Sequence, residues 1–198
     1  GSPGTSLFST STVIGEARGF IKMAGLPYAV VGTSLQCFDE NASISNLGTI
    51  AGSGRVSMAQ DGTRLLILTG LNNPGYVWDG STLTQISDSD FVGGDYAEYL
   101  YGHFVVGVNS TDEMYVSDSV DGVANPLSWT GNNNAFFNQN PDKLKRIIED
   151  HGELFAFGEE GTEVWYFVPD IAFPFARNQS AIIERGTKAS WSVARDDN

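Results

Sequence analysis

Pairs of acidic side chains are the residues of this chain whose type and spacing could do chemistry. They occur at Asp88 with Asp90, at Glu159-Glu160 and at Asp196-Asp197. Two carboxylates can cleave a glycosidic bond when they face each other across the substrate. Neighbouring residues in a turn rarely face each other in this way. We therefore interpret the three pairs as solvated turns.

The segment Asp118-Ser-Val-Asp121-Gly122 is a second candidate, because it resembles the opening of a calcium-binding loop. The bidentate glutamate that such a loop needs further along is missing at the required spacing. Together with Ser117 and Trp129, the segment is also similar to the Asp-box of sialidase propellers, but the spacing differs. A structural hairpin is the preferred interpretation, with calcium or glycosidase chemistry as the alternative.

The remaining candidates for a catalytic or binding site are isolated residues. Gly52-Ser53-Gly54-Arg55 suggests a phosphate cradle, but it lacks the P-loop lysine and leads into strand-like alternation. His103 and His151 have no serine or cysteine partner in a nucleophile motif. Cys37 is the single cysteine, which excludes an internal disulfide and a thiolate zinc site. These residues indicate no catalytic, cofactor-binding or metal-binding site.

The charge of the chain limits its partners. It has 24 acidic and 11 basic residues, a net charge of −13 and a sequence pI of about 4.3. Nucleic-acid binding depends on lysine and arginine, so we expect no groove that grips phosphates. Lys143, Lys145 and Arg146 form the only dense basic cluster, which we interpret as a solvated strand edge or subunit contact rather than a nucleic-acid site. No run approaches 18 apolar residues, so we predict no membrane partner.

Short alternating segments closed by glycine dominate the chain, and they repeat. Four units of about four strands each cover 18–50, 55–88, 95–130 and 144–183. The first strand of each unit ends in a turn glycine, and each third strand carries an aromatic residue at nearly the same spacing. This pattern predicts an all-β protein of the β-propeller class, with a β-sandwich as the alternative. The two sets of marker residues are Gly25, Gly62, Gly102 and Gly152, and Phe38, Trp78, Tyr115 and Trp165.

Two segments fall outside the four units. The Asn-rich segment 131–141 is predicted to be a loop between blades. Residues 188–198 are predicted to form the first strand and turn of a fifth blade. Because a propeller must close to remove its sheet edges, we expect this sequence to be the N-terminal part of a longer protein.

One stretch carries a more specific resemblance. Ile50-Ala-Gly-Ser-Gly-Arg-Val-Ser-Met-Ala59 is similar to a segment of the packaged-DNA stabilisation proteins of short-tailed bacteriophages, also called tail accessory factors or tail hubs. Further parts agree in order, namely Ser2-Pro-Gly-Thr5, Ala17-Arg-Gly19, the Tyr28 to Leu35 hairpin, Glu153-Leu-Phe-Ala-Phe-Gly158 and Glu163-Val-Trp-Tyr-Phe167. Members of the family are considerably longer than this chain.

The resemblance implies a structural virion protein rather than an enzyme, without catalytic residues or cofactors. It implies a homo-oligomeric ring in the tail that is assembled in the bacterial cytoplasm. The ring would close the portal channel after DNA packaging and link the adaptor and portal ring to the tail needle and tailspikes. The alternative is a propeller that binds or cleaves glycans, with exposed Trp, Tyr and Asn loops, Trp129 among them, stacking on sugar rings.

Overall fold

A computed structural model describes residues 7–137, 142–169 and 171–195, and these residues form strands and no helix. The predicted Ser2–Thr5 segment and the Asp196-Asp197 pair lie outside the described residues. The strands are β1 (Ala17–Met23), β2 (Leu26–Val31), β3 (Ser34–Phe38), β4 (Ile44–Thr49), β5 (Ser57–Gln60), β6 (Leu65–Leu68), β7 (Gly70–Leu71), β8 (Gly75–Trp78), β9 (Leu83–Gln85), β10 (Gly93–Gly94), β11 (Tyr96–Leu100), β12 (His103–Gly107), β13 (Glu113–Val120), β14 (Val123–Phe136), β15 (Arg146–Asp150), β16 (Glu153–Phe157), β17 (Thr162–Phe167) and β18 (Phe175–Ile183).

Four antiparallel sheets of four strands contain most of these elements. Blade 1 has the order β1-β2-β3-β4, blade 2 β5-β6-β8-β9, blade 3 β11-β12-β13-β14 and blade 4 β15-β16-β17-β18. A small sheet, which the sequence did not predict, pairs β7, located between β6 and β8 of blade 2, with β10, which precedes β11 of blade 3. Each blade is a meander, as the repeat predicts, so the all-β prediction with four-stranded blades is confirmed.

Tight turns between the first two strands set the register of blades 1, 3 and 4. In blade 3 the turn residues Tyr101 and Gly102 have φ of 49° and 76°. In blade 4 His151 and Gly152 have φ of 51° and 79°. A two-residue hairpin turn of this type requires positive φ at both positions. Ala24-Gly25 has the same geometry. In blade 2 a longer loop replaces this turn, and the Asp61 carboxylate accepts hydrogen bonds from the backbone of Thr63 and Arg64.

Strand alternation buries both faces of the middle blades. On β6, Leu65 and Ile67 pack in the core shared with blade 1, whereas Leu66 and Leu68 pack in the core shared with blade 3. A third core joins blades 3 and 4, with Leu154 and Trp165 from blade 4. A blade therefore has no core of its own and is stabilised by its neighbours.

The first strands of the blades lie innermost. β1 packs on β5, β5 on β11 and β11 on β15, and residues of all four line a common cavity of about 570 Å³. We call this cavity the inner-strand channel. The blades are thus arranged around one axis in chain order, which is the propeller arrangement that the sequence predicts.

Two boundary predictions were wrong. Blade 3 continues to Phe136, because residues 131–136 of the Asn-rich segment extend β14 instead of forming a loop, and residues 138–141 lie outside the described residues. Asn134 pairs with Tyr115, and its side-chain amide donates to Glu113 Oε1 at 3.1 Å. Asn133 donates to Asp118 Oδ1 in the same way. Cross-strand bonds of this kind offset the low strand propensity of asparagine.

The described part of the predicted fifth-blade strand, residues 188–195, is also not a strand. It forms a turn in which Ser192 donates its backbone N–H and its hydroxyl to the carbonyl of Ala189. None of the described sheets includes a strand from this segment. The segment lies instead against the inner-strand channel.

Candidate functional site

The carboxylates of the Asp88 and Asp90 pair bind backbone groups. Asp88 Oδ2 accepts the N–H of Trp129 at 3.1 Å, and Asp90 Oδ2 accepts that of Gly131 at 3.0 Å. The loop that carries Asp88 and Asp90 thereby joins blade 2 to strand β14 of blade 3. This geometry uses the pair to hold two blades together and does not form a catalytic cleft.

The Glu159-Glu160 pair lies in a turn organised by Asp142. The Asp142 carboxylate accepts the N–H groups of Glu159, Glu160 and Gly161 at 2.9, 2.9 and 3.1 Å. Burial opposes the ionised form, but these bonds outweigh it and lower the pKa of Asp142. Glu159 also pairs with Lys145, with Nζ and Oε1 2.9 Å apart. The pair is a turn, as expected.

The Asp118–Gly122 segment comprises the end of β13 and the Asp121-Gly122 turn that connects it to β14. Asp121 and Gly122 take positive φ of 52° and 75°, and the Asp118 carboxylate binds the side chains of Ser128 and Asn133. The segment is therefore a structural hairpin, as preferred.

Trp129 is only 3% exposed, with ring centroids 5.1 Å from Phe91 and 5.2 Å from Tyr115. Its Nε1 donates to the carbonyl of Pro126. The alternative in which Trp129 stacks on a sugar is contradicted, because the ring fills the core between blades 2 and 3.

The Gly52–Arg55 loop is built around a buried arginine that sequence reasoning did not single out. The Arg18 guanidinium donates to the carbonyl oxygens of Gly54, Ala51, Ile50 and Gly32 at 2.7 to 3.2 Å. Glu16 accepts the N–H of Gly54. A phosphate would find this N–H occupied by a carboxylate, so the loop is a structural turn. The motif with the most specific resemblance therefore joins blade 1 to blade 2.

The remaining candidates are separate from one another. His103 Nδ1 lies 3.2 Å from the carbonyl oxygen of Ser117, and burial lowers its pKa. His151 occupies an exposed turn beside Asp150. Cys37 packs with Leu35 in the core between blades 1 and 2, as their shared strand face predicts. No group of three or more His, Cys, Asp or Glu side chains among the described residues could hold a metal ion.

The basic cluster does not form one surface. Lys143 is exposed, Lys145 pairs with Glu159, and Arg146 extends into the inner-strand channel. Lys143 and Lys145 precede β15 and Arg146 begins it, so the three side chains reach different surroundings. The interpretation of these residues as a solvated strand edge or a subunit contact, rather than a nucleic-acid site, stays a prediction.

The inner-strand channel collects charged side chains that sequence reasoning missed. Glu98 Oε1 lies 3.7 Å from Arg146 Nη2, and the Arg195 guanidinium binds the carboxylate of Glu149. Burial raises the pKa of Glu98 to about 7, although Arg146 and Arg195 favour its ionised form. Burial likewise lowers the pKa of Arg146, and Glu98 opposes that shift. These residues come from three separate parts of the chain.

Trp191 contacts two arginines and a tyrosine beside the inner-strand channel. The guanidinium carbons of Arg55 and Arg146 lie 4.7 and 4.6 Å from its ring centroid, and Tyr96 packs edge-on at 5.6 Å. With 42% of its surface exposed, Trp191 is also the exposed member of the four tryptophans. No local sequence motif predicts the contact of the two arginines with the tryptophan, because Arg55, Arg146 and Trp191 lie far apart in sequence. The arrangement suits binding of a charged or aromatic group rather than acid–base catalysis.

Four antiparallel blades with their first strands around one channel define the class of the protein as a β-propeller. A family model described as bacteriophage P22 Gp10, beta-propeller, matches residues 1–196, and the chain belongs to this phage family of packaged-DNA stabilisation proteins. The resemblance found in the sequence is thereby confirmed. The protein is a phage structural protein and a virion component.

Solved structures share the fold alone. PorZ of Porphyromonas gingivalis, a surface component of the type-IX secretion system, superposes with a TM-score of 0.50 and 12% identity over 84% of this chain and 23% of PorZ. The dihydro-heme d1 dehydrogenase NirN superposes with a TM-score of 0.53 and 17% sequence identity, over 81% of this chain and 35% of NirN. The chain thus spans about a quarter to a third of these structures. Among curated protein sequences none matches it.

None of the described residues forms a helix of the length and apolar character that a membrane crossing needs.

Proposed function

We propose that this protein is a non-enzymatic tail hub, or tail accessory factor, that closes the portal channel after DNA packaging. The observation that carries the proposal is the family match over residues 1–196. In this role copies of the chain form a ring below the portal and its adaptor. The ring gives the tail needle and tailspikes a platform.

The use of the polar residues supports a structural role. Asp88, Asp90 and Asp118, which were candidates for chemistry, hold loops and blades together through hydrogen bonds, and so does Asp142. Arg18 does the same for the blade 1 to blade 2 connection. A scaffold of this kind offers rigid surfaces to neighbouring proteins.

The negative net charge of the chain supports a role in which the protein retains DNA without binding it tightly. A net charge of −13 disfavours close contact with a polyanion, so a channel closed by such a protein resists the genome through protein–protein contacts. The exiting genome would then not adhere to the lumen. The partners proposed are the adaptor and portal ring, the tail needle, the tailspikes and further copies of this chain.

The test is cryo-electron microscopy of the intact particle, combined with a deletion of the gene. We expect density for the propeller between the adaptor ring and the needle. Particles without the protein should package DNA and then lose it, measured as nuclease-sensitive genome after packaging. Density elsewhere in the particle, or deletion particles that retain their DNA, would refute the assignment. A control deletion complemented from a plasmid should restore DNA retention.

A further inference from the structure

Arg55, Arg146 and Trp191 form a group that we call the Arg–Trp–Arg cluster. The two guanidinium carbons lie 4.7 and 4.6 Å from the centroid of the same indole ring. Arg55 comes just before β5 of blade 2, Arg146 begins β15 of blade 4, and Trp191 belongs to the segment after β18. Three distant parts of the chain therefore place two positive charges beside one aromatic ring.

Arg146 has hydrogen-bonding capacity that the described residues leave unused. Its Nη2 lies 3.7 Å from Glu98 Oε1, which is too long for a hydrogen bond. Its Nε and Nη1 are buried and have no hydrogen-bond partner within the described ranges. Buried donors of a charged group without a partner are unfavourable, so a ligand that accepts hydrogen bonds from them is stabilised.

A cavity of about 390 Å³ lies beside the cluster. Arg55, Arg146 and Trp191 line one part, and the apolar side chains of Phe20 and Met58 line another. Its lining within the described residues includes no Asp or Glu, although the whole chain carries a net charge of −13. The cavity is therefore locally positive and partly apolar, which matches an anionic group on a short hydrocarbon stem.

We propose that this cavity binds a carboxylate side chain from an acidic segment of a partner protein. The carboxylate is held by the guanidinium groups of Arg55 and Arg146, and its methylene stem contacts Phe20 and Met58. A planar carboxylate matches the fork of guanidinium donors. A DNA duplex fits less well, because its phosphates lie on a wide, rigid backbone, whereas a carboxylate on a flexible methylene stem can enter a cavity of about 390 Å³. The site goes beyond the proposed closure of the portal channel and does not depend on it.

The experiment uses two capped hexapeptides, acetyl-Ala-Leu-Glu-Ala-Leu-Glu-amide and its counterpart with glutamine in place of glutamate. Binding to the protein is measured by isothermal titration calorimetry near physiological ionic strength, so that weak surface attraction is screened. We expect the glutamate peptide to bind at least about tenfold more tightly than the glutamine peptide, the ratio that one charge-assisted hydrogen bond supplies.

Two variants link the binding to the cluster. Arg55→Gln changes an exposed residue, so the fold should persist, and we expect about a tenfold loss of affinity for the glutamate peptide. Arg185→Gln removes the same charge from an exposed position outside the cavity lining, and it should leave the affinity unchanged. Circular dichroism of both variants checks the fold.

Several outcomes would overturn the proposal. They are equal affinity for the two peptides, no binding of the glutamate peptide at millimolar concentration, and equal losses in Arg55→Gln and Arg185→Gln. A short DNA duplex that displaces the peptide, and whose own binding depends on Arg55, would identify phosphate as the ligand and contradict the carboxylate assignment.

Discussion

Arg18 shows how one buried side chain can determine a loop. It is 3% exposed, and its guanidinium binds four carbonyl oxygens of the residues that connect and flank blades 1 and 2. We expect Arg18→Met to lower the free energy of unfolding by about 3 kcal/mol, because buried carbonyl groups lose charged partners. Urea denaturation measures this. Substitution of the exposed Arg185 by methionine should change the free energy of unfolding by less than about 0.5 kcal/mol. Equal losses of unfolding free energy in Arg18→Met and Arg185→Met would contradict the prediction.

Glu98 makes stability depend on pH in the direction opposite to that of an ion-paired carboxylate. Its pKa is raised to about 7 when folded, so the folded state holds the proton more tightly than the unfolded state. The stabilisation of the folded state by the protonated Glu98 side chain is therefore fully present below the unfolded pKa of 4.5, and it is lost as the pH rises towards the folded pKa of about 7. Arg146, Arg195 and Glu149 are the charged groups that face it.

The matching variant is Glu98→Gln, which cannot ionise. Relative to the wild type, we expect it to gain roughly 2 kcal/mol of unfolding free energy between pH 5 and pH 8. Urea titrations of both proteins at the two pH values measure the difference. A relative loss of stability in the variant on going to pH 8 would contradict the sign.

The tryptophans mark the limit of sequence reasoning for single residues. Trp78, Trp129 and Trp165 lie on strands and fill cores, whereas Trp191 lies in a turn and is partly exposed. The alternation pattern could have predicted burial for the first three. The contacts of Trp191 could not be predicted, because Arg55 and Arg146 meet it only once blades 2 and 4 have formed around the channel.

At the scale of the element, the turn glycines are not equivalent. Gly25 and Gly102 both have positive φ, which disfavours any residue with a Cβ. A Cβ at Gly25 would meet nothing within 4 Å, whereas one at Gly102 would lie 2.1 Å from the carbonyl oxygen of Gly122. Gly25→Ala should cost about 1 kcal/mol of unfolding free energy, and Gly102→Ala about 3 kcal/mol. Thermal or urea unfolding compares them, and equal costs would refute the steric argument.

The repeat of strands and turns was readable from sequence, because glycine spacing and alternation act locally. The length of β14 was not. Its Asn-rich part resembles a loop in composition, and only the pairing with Tyr115 and the bonds to Glu113 and Asp118 make it a strand. Residues 188–195 show the converse, since their alternation does not form a strand in any of the described sheets.

At the scale of the whole molecule, each blade depends on the blades beside it. Leu154 on β16 is fully buried against blade 3, while the adjacent Phe155 is half-buried on the other face of blade 4. We expect Leu154→Ala to cost about 3 kcal/mol of unfolding free energy and Phe155→Ala about 1 kcal/mol, although phenylalanine is larger. Urea denaturation tests the order, and a greater loss in Phe155→Ala would contradict it.

The double burial of β6 has a consequence for how such proteins diverge. Leu65 and Ile67 fit blade 1 while Leu66 and Leu68 fit blade 3, so blade 2 is shaped by both neighbours at once. A recombination event that replaced this blade alone would have to match two foreign surfaces simultaneously. Exchange between related genomes is therefore expected to preserve neighbouring blades as joint segments, with crossovers concentrated in exposed loops rather than between individual repeats.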